Sequence, residues 1–196
     1  MSSRDQILAA VKANQPALMA LPALDSFFEP QKSEPIEKFT QVLSSIGGRV
    51  IEVKDDTEII DFIKAHYALG SIRAISPLAN MQEIADTYEP GNNPHELENV
   101  ELAILPAHFA IAENGACWLS ETLLGERVLP FITQHLILIV HKNDILPTMH
   151  DAYQKIGDEG YGYGTFIAGP SKTADIEQSL VLGAHGARSL LVFLIN

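Results

Sequence analysis

From Ser33 onward, apolar positions recur at helix spacing and strand spacing in turn. Pro35 opens a stretch whose Ile36, Phe39, Val42, Leu43 and Ile46 share one helical face, and Gly47-Gly48 ends it. A strand is predicted over Arg49 to Val53, a helix over Thr57 to Ala68 with Ile59, Ile60 and Ile63 inward, and a strand over Ser71 to Ser76. Leu78 to Thr87 predicts a short helix, and the turn residues of 89–94 a surface loop. Val100 to Leu105 and Ala116 to Ser120 read as strands, separated by a short connection over Ala107 to Ile111 and a turn. An irregular excursion over 121–130 leads to Leu136 to Val140, apolar throughout and therefore a strand buried on both faces. Asn143 to Gly157 predicts a helix, Thr165 to Ala168 a central parallel strand, and Ser189 to Ile195 a last strand. Such alternation is the grammar of an α/β domain: a mostly parallel sheet, helices on both faces, and a ligand site at the carboxyl edge of the strands.

Residues 1–32 follow a different pattern. Ser3 caps a first helix with the stripe Ile7, Leu8 and Val11, ending before Pro16. Residues 15–32 hold three prolines together with Leu18, Met19, Leu21, Leu24, Phe27 and Phe28, which suits an arm packed on its own domain or on a partner subunit. The expected organisation is a helix and arm over 1–32 and an α/β domain over 33–196.

The stretch Gly169-Pro170-Ser171-Lys172-Thr173-Ala174-Asp175-Ile176-Glu177 reads as a strand handing over to a helix. Ser171 or Thr173 is the expected cap, Asp175 and Glu177 complement the dipole of the first turn, Ile176 and Leu180 point inward, and Gly183 ends the helix. Free N–H groups at such a turn, with Lys172 beside them, attract an anion or a carbonyl oxygen. Asp175 and Glu177 oppose a bare phosphate, so a ligand with hydroxyls or amides competes with it. The alternative is that these residues are caps and nothing more. Taken with the loop Gly183 to Arg188, the run GPSKTADIEQSLVLGAHGARSLLVFL over 169–194 resembles the C-terminal signature of the LUD family, the lactate-utilisation protein C proteins. The resemblance implies a fold like that of the sugar-phosphate isomerases and coenzyme A transferases. It also implies an accessory role in oxidising lactate to pyruvate, and a ligand held by Gly169, Pro170, Ser171, Lys172, Thr173, Asp175, Glu177 and His185.

A second turn, Ala112-Glu113-Asn114-Gly115, carries a carboxylate at a strand end, with Asn114 and Gly115 tolerant of positive φ. Composition alone favours an ordinary exposed hairpin acid. LUD proteins usually have Glu-Thr-Gly-Thr here, whereas this chain has Glu113-Asn114-Gly115-Ala116 and lacks both hydroxyls. The altered turn is similar to the Glu-Asn-Gly turn of one class of coenzyme A transferases, whose glutamate attacks an acyl thioester. Glu113 is therefore the candidate nucleophile of an alternative, transferase-like function, and a ligand-sensing regulator is a third. The Glu113 turn and the Gly169 loop are expected to face each other. Gly160-Tyr161-Gly162-Tyr163-Gly164 precedes a strand and so is no dinucleotide fingerprint; it is a loop with packed tyrosines or a flap over the crevice.

Composition narrows the chemistry. A net charge of −12 over 196 residues works against nonspecific attraction to nucleic acid or anionic membranes. Cys117 is the only cysteine, so one chain can form neither an internal disulfide nor a four-cysteine cluster, and iron–sulfur clusters are expected on partner proteins. His135 and His141 end one strand about 20 Å apart, and His108, His150 and His185 lack ligand spacing, which leaves only a metal site assembled in space. No intrinsic cofactor is expected. The start lacks a secretory signal and no apolar run has membrane length, so a cytoplasmic protein, as a monomer or a homo-oligomer, is expected.

Overall fold

Strict alternation of side chains between faces sorts the apolar residues into layers. The computed structural model describes residues 2–20, 34–88, 93–158, 160–173 and 181–196. The chain divides into two compact units, Met1–Lys32 and Ser33–Asn196. In the first, helix α1 (Ser3–Ala13) is capped by Ser2, whose hydroxyl accepts the Asp5 N–H while the Asp5 carboxylate accepts the Ser2 N–H. The cap therefore lies one residue before Ser3. Ile7, Leu8 and Val11 are exposed, and Leu21, Leu24, Phe27 and Phe28 lie outside the described residues.

The second unit runs α2 (Pro35–Ser45), β1 (Arg49–Val53), α3 (Asp56–His66), β2 (Ala74–Ile75), β3 (Leu102–Pro106), β4 (Phe109–Ile111), β5 (Ala116–Ser120), α4 (Glu121–Leu124), α5 (Leu129–Ile132), β6 (His135–His141), β7 (Ile145–Leu146), α6 (Met149–Ile156), β8 (Gly164–Ala168) and β9 (Ser189–Ile195). The central sheet has the order β1-β9-β6-β3-β2, with every neighbouring pair parallel. A second sheet, β7-β4-β5-β8, pairs β5 antiparallel to both β4 and β8. On one face of the central sheet, Ile104, Ile137 and Phe193 pack with Ile59 and Ile63 of α3. On the other, Leu105, Leu138 and Val192 meet Ala110, Cys117 and Leu119 of the second sheet and Phe39 and Leu43 of α2. The outer face of the second sheet, with Phe109, Ile111 and Trp118, is covered by Ala152 and Ile156 of α6.

Several segments depart from the sequence reading. Thr165 to Ala168 is not a central parallel strand but belongs to β8, antiparallel to β5 at the edge of the second sheet. Its apolar residues alternate: Phe166 packs 4.5 Å from the Trp118 ring on the outer face, while Ile167 faces the layer between the sheets. A four-residue apolar run does not distinguish that arrangement from double burial. Ala107 to Ile111 contains β4 rather than a plain connection. Asn143 to Gly157 is not one helix, because Pro147 interrupts it. The segment pairs first as β7, and Thr148 and Asp151 then form the capping box that starts α6. Leu78 to Thr87 forms only a short 3₁₀ turn at Ala79–Met81, and the 121–130 excursion holds α4.

Cys117 lies fully buried between the sheets, and burial pushes its thiol up to about 12. Iodoacetamide should therefore leave the native protein unmodified over the time in which the protein unfolded in guanidinium reacts completely. Rapid native labelling, read by intact mass, would contradict the two-sheet packing.

Candidate functional site

The two glycine turns singled out in the sequence lie side by side against the end of α2. Ala116 pairs with Ala168, which makes Gly115 and Gly169 neighbours. Gly115 has φ 71°, and a Cβ there would stand 3.1 Å from the backbone N and Cα of Leu43. Gly169 has φ 73°, and its Cβ would stand 3.1 Å from the Ile46 carbonyl oxygen. Glycine is thus required twice over, by backbone conformation and by the close approach of the helix end.

Beside these turns a cleft of about 240 Å³ is lined by Gly169, Pro170, Ser171 and His185, together with Phe131, Leu136 and Leu190. Leu136 and Leu190 stand at the beginnings of β6 and β9, so this cleft opens at the amino edge of the parallel strands. The carboxyl edge was expected. The difference follows from β8, which runs antiparallel in the second sheet and so delivers Gly169 to the opposite edge.

The remaining predicted residues have hydrogen-bond partners of their own. Lys172 Nζ donates to the Ile46 carbonyl at 2.5 Å, placing a cation at the carboxyl end of α2. The Glu113 carboxylate accepts the Met149 N–H at 2.8 Å, placing an anion at the amino end of α6. Asn114 Oδ1 accepts the Ala116 N–H at 3.0 Å and holds the turn. Thr173 Oγ1 accepts the Val181 N–H at 3.1 Å and Lys172 bridges Leu182 antiparallel, so Thr173 braces an extended pairing, and the helix it was expected to cap lies outside the described residues. Ser171 N–H donates to the Ala187 carbonyl at 2.7 Å. Asp175, Ile176, Glu177 and Leu180 lie outside the described residues. The cleft thus gathers Gly169, Pro170, Ser171 and His185, whereas Glu113, Asn114, Lys172 and Thr173 are not part of its lining.

At the same edge His135 places Nδ1 2.7 Å from Ser189 Oγ and Nε2 3.3 Å from Arg188 Nη2. A guanidinium only donates, so Nε2 accepts, Nδ1 carries the proton, and the ring is neutral. Burial holds its pKa below the ordinary value, Arg188 lowers it further, and Glu101 partly opposes both.

The sequence reading passed over one constellation. His108 Nε2 is 2.7 Å from Ser120 Oγ, which is 2.7 Å from Thr122 Oγ1. His108 follows the end of β3 by two residues, so this chain of polar groups stands at the carboxyl edge. It borders a cleft of about 200 Å³ lined by Phe109, Trp118, Lys155, Ile156 and Tyr161 as well as His108 and Ser120. A hairpin reading of 107–120 would have found it, since Ile111 opposite Ala116 brings His108 opposite Leu119, one residue from Ser120. Tyr161 stacks edge-on against Trp118 at 5.2 Å, so the glycine-tyrosine loop forms a wall of this cleft.

The sequence pattern of the LUD domain family matches residues 36–195. The chain belongs to the LUD domain family. A lactate utilization protein C from Bacillus pumilus is 32% identical over 50% of this chain and 46% of its own length, so that match spans under half of the relative. Another lactate utilization protein C, from Geobacillus sp. strain WCH70, is 28% identical over 94% of this chain and 76% of the relative. The crystal structure of a DUF162 family protein from Deinococcus radiodurans superposes with a TM-score of 0.66 at 20% identity, covering 86% of this chain and all of that one. That likeness establishes the α/β fold of the LUD domain: a parallel central sheet with α3 on one face and α2 on the other. Among the described residues of this LUD domain, no three His, Cys, Asp or Glu side chains gather as a metal-holding group, and no helix is long and apolar enough to cross a membrane.

Two outcomes follow for this edge. Gly115→Ala and Gly169→Ala should each cost about 1–3 kcal/mol of stability in denaturant titrations, while His185→Ala, on the exposed rim, should cost almost nothing. Unchanged midpoints for both glycine variants would contradict the packing on α2. The lowered pKa of His135 means that the unfolded chain binds more protons than the native one below about pH 6.5. Its contribution to stability should be complete above that pH and be lost as pH falls toward the folded value. The fall in melting temperature between pH 7 and pH 5 should be smaller in His135→Gln than in the wild type; equal falls would refute the assignment.

Proposed function

We propose that this LUD domain serves lactate utilisation as a cytoplasmic accessory component, acting with iron–sulfur partner proteins and binding a small polar ligand in the cleft beside Gly169. The observation carrying this reading is the family match over 36–195, supported by relatives named lactate utilization protein C that align over most of the chain. Oxidising lactate to pyruvate releases two electrons, which need a carrier. One cysteine per chain, buried and holding its proton, cannot supply the thiolates of a cluster, and this favours clusters on partners. The cleft sets Ser171 and His185 beside an apolar wall of Phe131, Leu136 and Leu190, a mixture suited to a compact ligand with hydroxyl or carbonyl groups.

The transferase reading places its chemistry on Glu113, but that carboxylate is occupied by the Met149 N–H at the end of α6. An anion held there is stabilised by the helix and is a correspondingly poorer nucleophile. Growth on lactate should be lost when the gene is disrupted and restored by the wild-type chain, and an affinity-tagged chain purified anaerobically should bring down a cysteine-rich iron–sulfur protein. Unimpaired growth of the disrupted strain would end the lactate reading. Incubation with acyl-coenzyme A and borohydride should leave Glu113 unmodified; a mass shift mapped to it would instead establish the transferase.

A further inference from the structure

The His108, Ser120 and Thr122 constellation is independent of the Gly169 cleft and lies at the other edge of the sheets. Ser120 is the last residue of β5, and strand pairing fixes it: Ser120 lies opposite Gly164 of β8, and the next N–H, that of Glu121, donates to the Tyr163 carbonyl at 2.8 Å. Its hydroxyl has a ring nitrogen on one side and a second hydroxyl on the other, both at 2.7 Å. Ser120 itself is only 2% exposed, whereas His108 and Thr122 stand nearer to solvent. When Nε2 accepts, Ser120 donates its proton to His108 and receives a hydrogen bond from Thr122. That arrangement prepares the oxygen to lose a proton and stabilises the charge it then carries.

The cleft walls define the class of substrate. Phe109, Trp118 and Ile156 supply apolar surface for a short hydrocarbon chain. Lys155 at the rim is bonded to Asp144 Oδ1 at 2.9 Å, and Arg127 is bonded to Glu121 at 2.6 Å, so the nearby cations are already balanced by carboxylates. A neutral carbonyl compound suits such a site better than a phosphate.

We propose that Ser120 is a nucleophile towards short activated acyl groups, esters or thioesters, with His108 as its general base. The Ser120 proton passes to His108 Nε2 as Oγ bonds to the acyl carbon. The bond from that carbon to the leaving oxygen or sulfur then breaks, and His108 returns the proton to the leaving group. Water completes the cycle: it loses a proton to His108 and attacks the acyl-serine, and Oγ departs and takes the proton back. The rival explanation is that the three side chains only fasten the end of the hairpin to α4.

The test is reaction of the full-length wild-type chain with an alkyl fluorophosphonate, which bonds to an activated serine oxygen with loss of fluoride, followed by peptide mapping. The expected result is one adduct per chain, on Ser120, absent in Ser120→Ala and formed about 100-fold more slowly in His108→Gln. Absence of an adduct on the folded wild type, an adduct mapped elsewhere, or an undiminished rate in His108→Gln would each overturn the proposal. Wild-type mapping alone decides if either variant fails to fold, and the reading in lactate utilisation stands or falls separately, on growth.

Discussion

Burial of alternate side chains between two sheets is the constraint on which the rest of the molecule depends. The central sheet offers Leu105, Leu138 and Val192 to this layer, and the second sheet answers with Ala110, Cys117 and Leu119. Each large apolar side chain removed from water contributes about 1.5–3 kcal/mol, and the small residues opposite let the sheets approach. A one-residue slip in β5 would turn Cys117 and Leu119 outward and bring Trp118 into the layer, so burial also fixes the register of the hairpin. That register in turn places Ser120 within reach of His108 and Gly115 beside Gly169.

The same layer explains why two clefts lie at opposite edges. Strands of the central sheet all run one way, whereas the second sheet runs back and forth between the two edges. The β4–β5 turn and the end of β8 therefore gather at the amino edge, against the last turn of α2, while the start of β4 and the end of β5 gather at the carboxyl edge. At the amino edge, steric contact dominates: two left-handed glycines touch Leu43 and Ile46, and Lys172 closes the helix end. At the carboxyl edge, polar groups converge on one buried hydroxyl.

The parallel sheet was legible in the sequence because its central strands are apolar on both faces, as at Leu136 to Val140, and amphipathic helices lie between strands, as at Phe39 with Leu43. The second sheet was not. Its strands β4 and β7 are three and two residues long, too short for a period to show, and β8 alternates only once. The glycine turns were visible as turns, but the partners of the charges beside them were not: the contacts of Glu113 and Lys172 with the ends of α6 and α2 depend on the folded positions of those helices. His108 and Ser120 are separated by twelve residues and are neighbours only through the β4–β5 hairpin, whose first strand is too short to show a period.

The division of labour between the edges bears on which cleft can do chemistry. Chemistry on a bound group needs a polar atom whose protonation can change while its surroundings stay fixed. At the amino edge the fixed surroundings are present, but His185 stands exposed and the cleft side of the loop is built largely from Gly169, Pro170 and backbone. Such a surface recognises shape and hydrogen-bonding pattern. At the carboxyl edge the buried Ser120 hydroxyl is held by strand pairing beside an imidazole ring, with the aromatic side chains of Phe109 and Trp118 along the cleft. Recognition at one edge and proton transfer at the other are the roles we propose for the two clefts, and β5 joins them directly, running from Ala116 beside Gly169 to Ser120 beside His108.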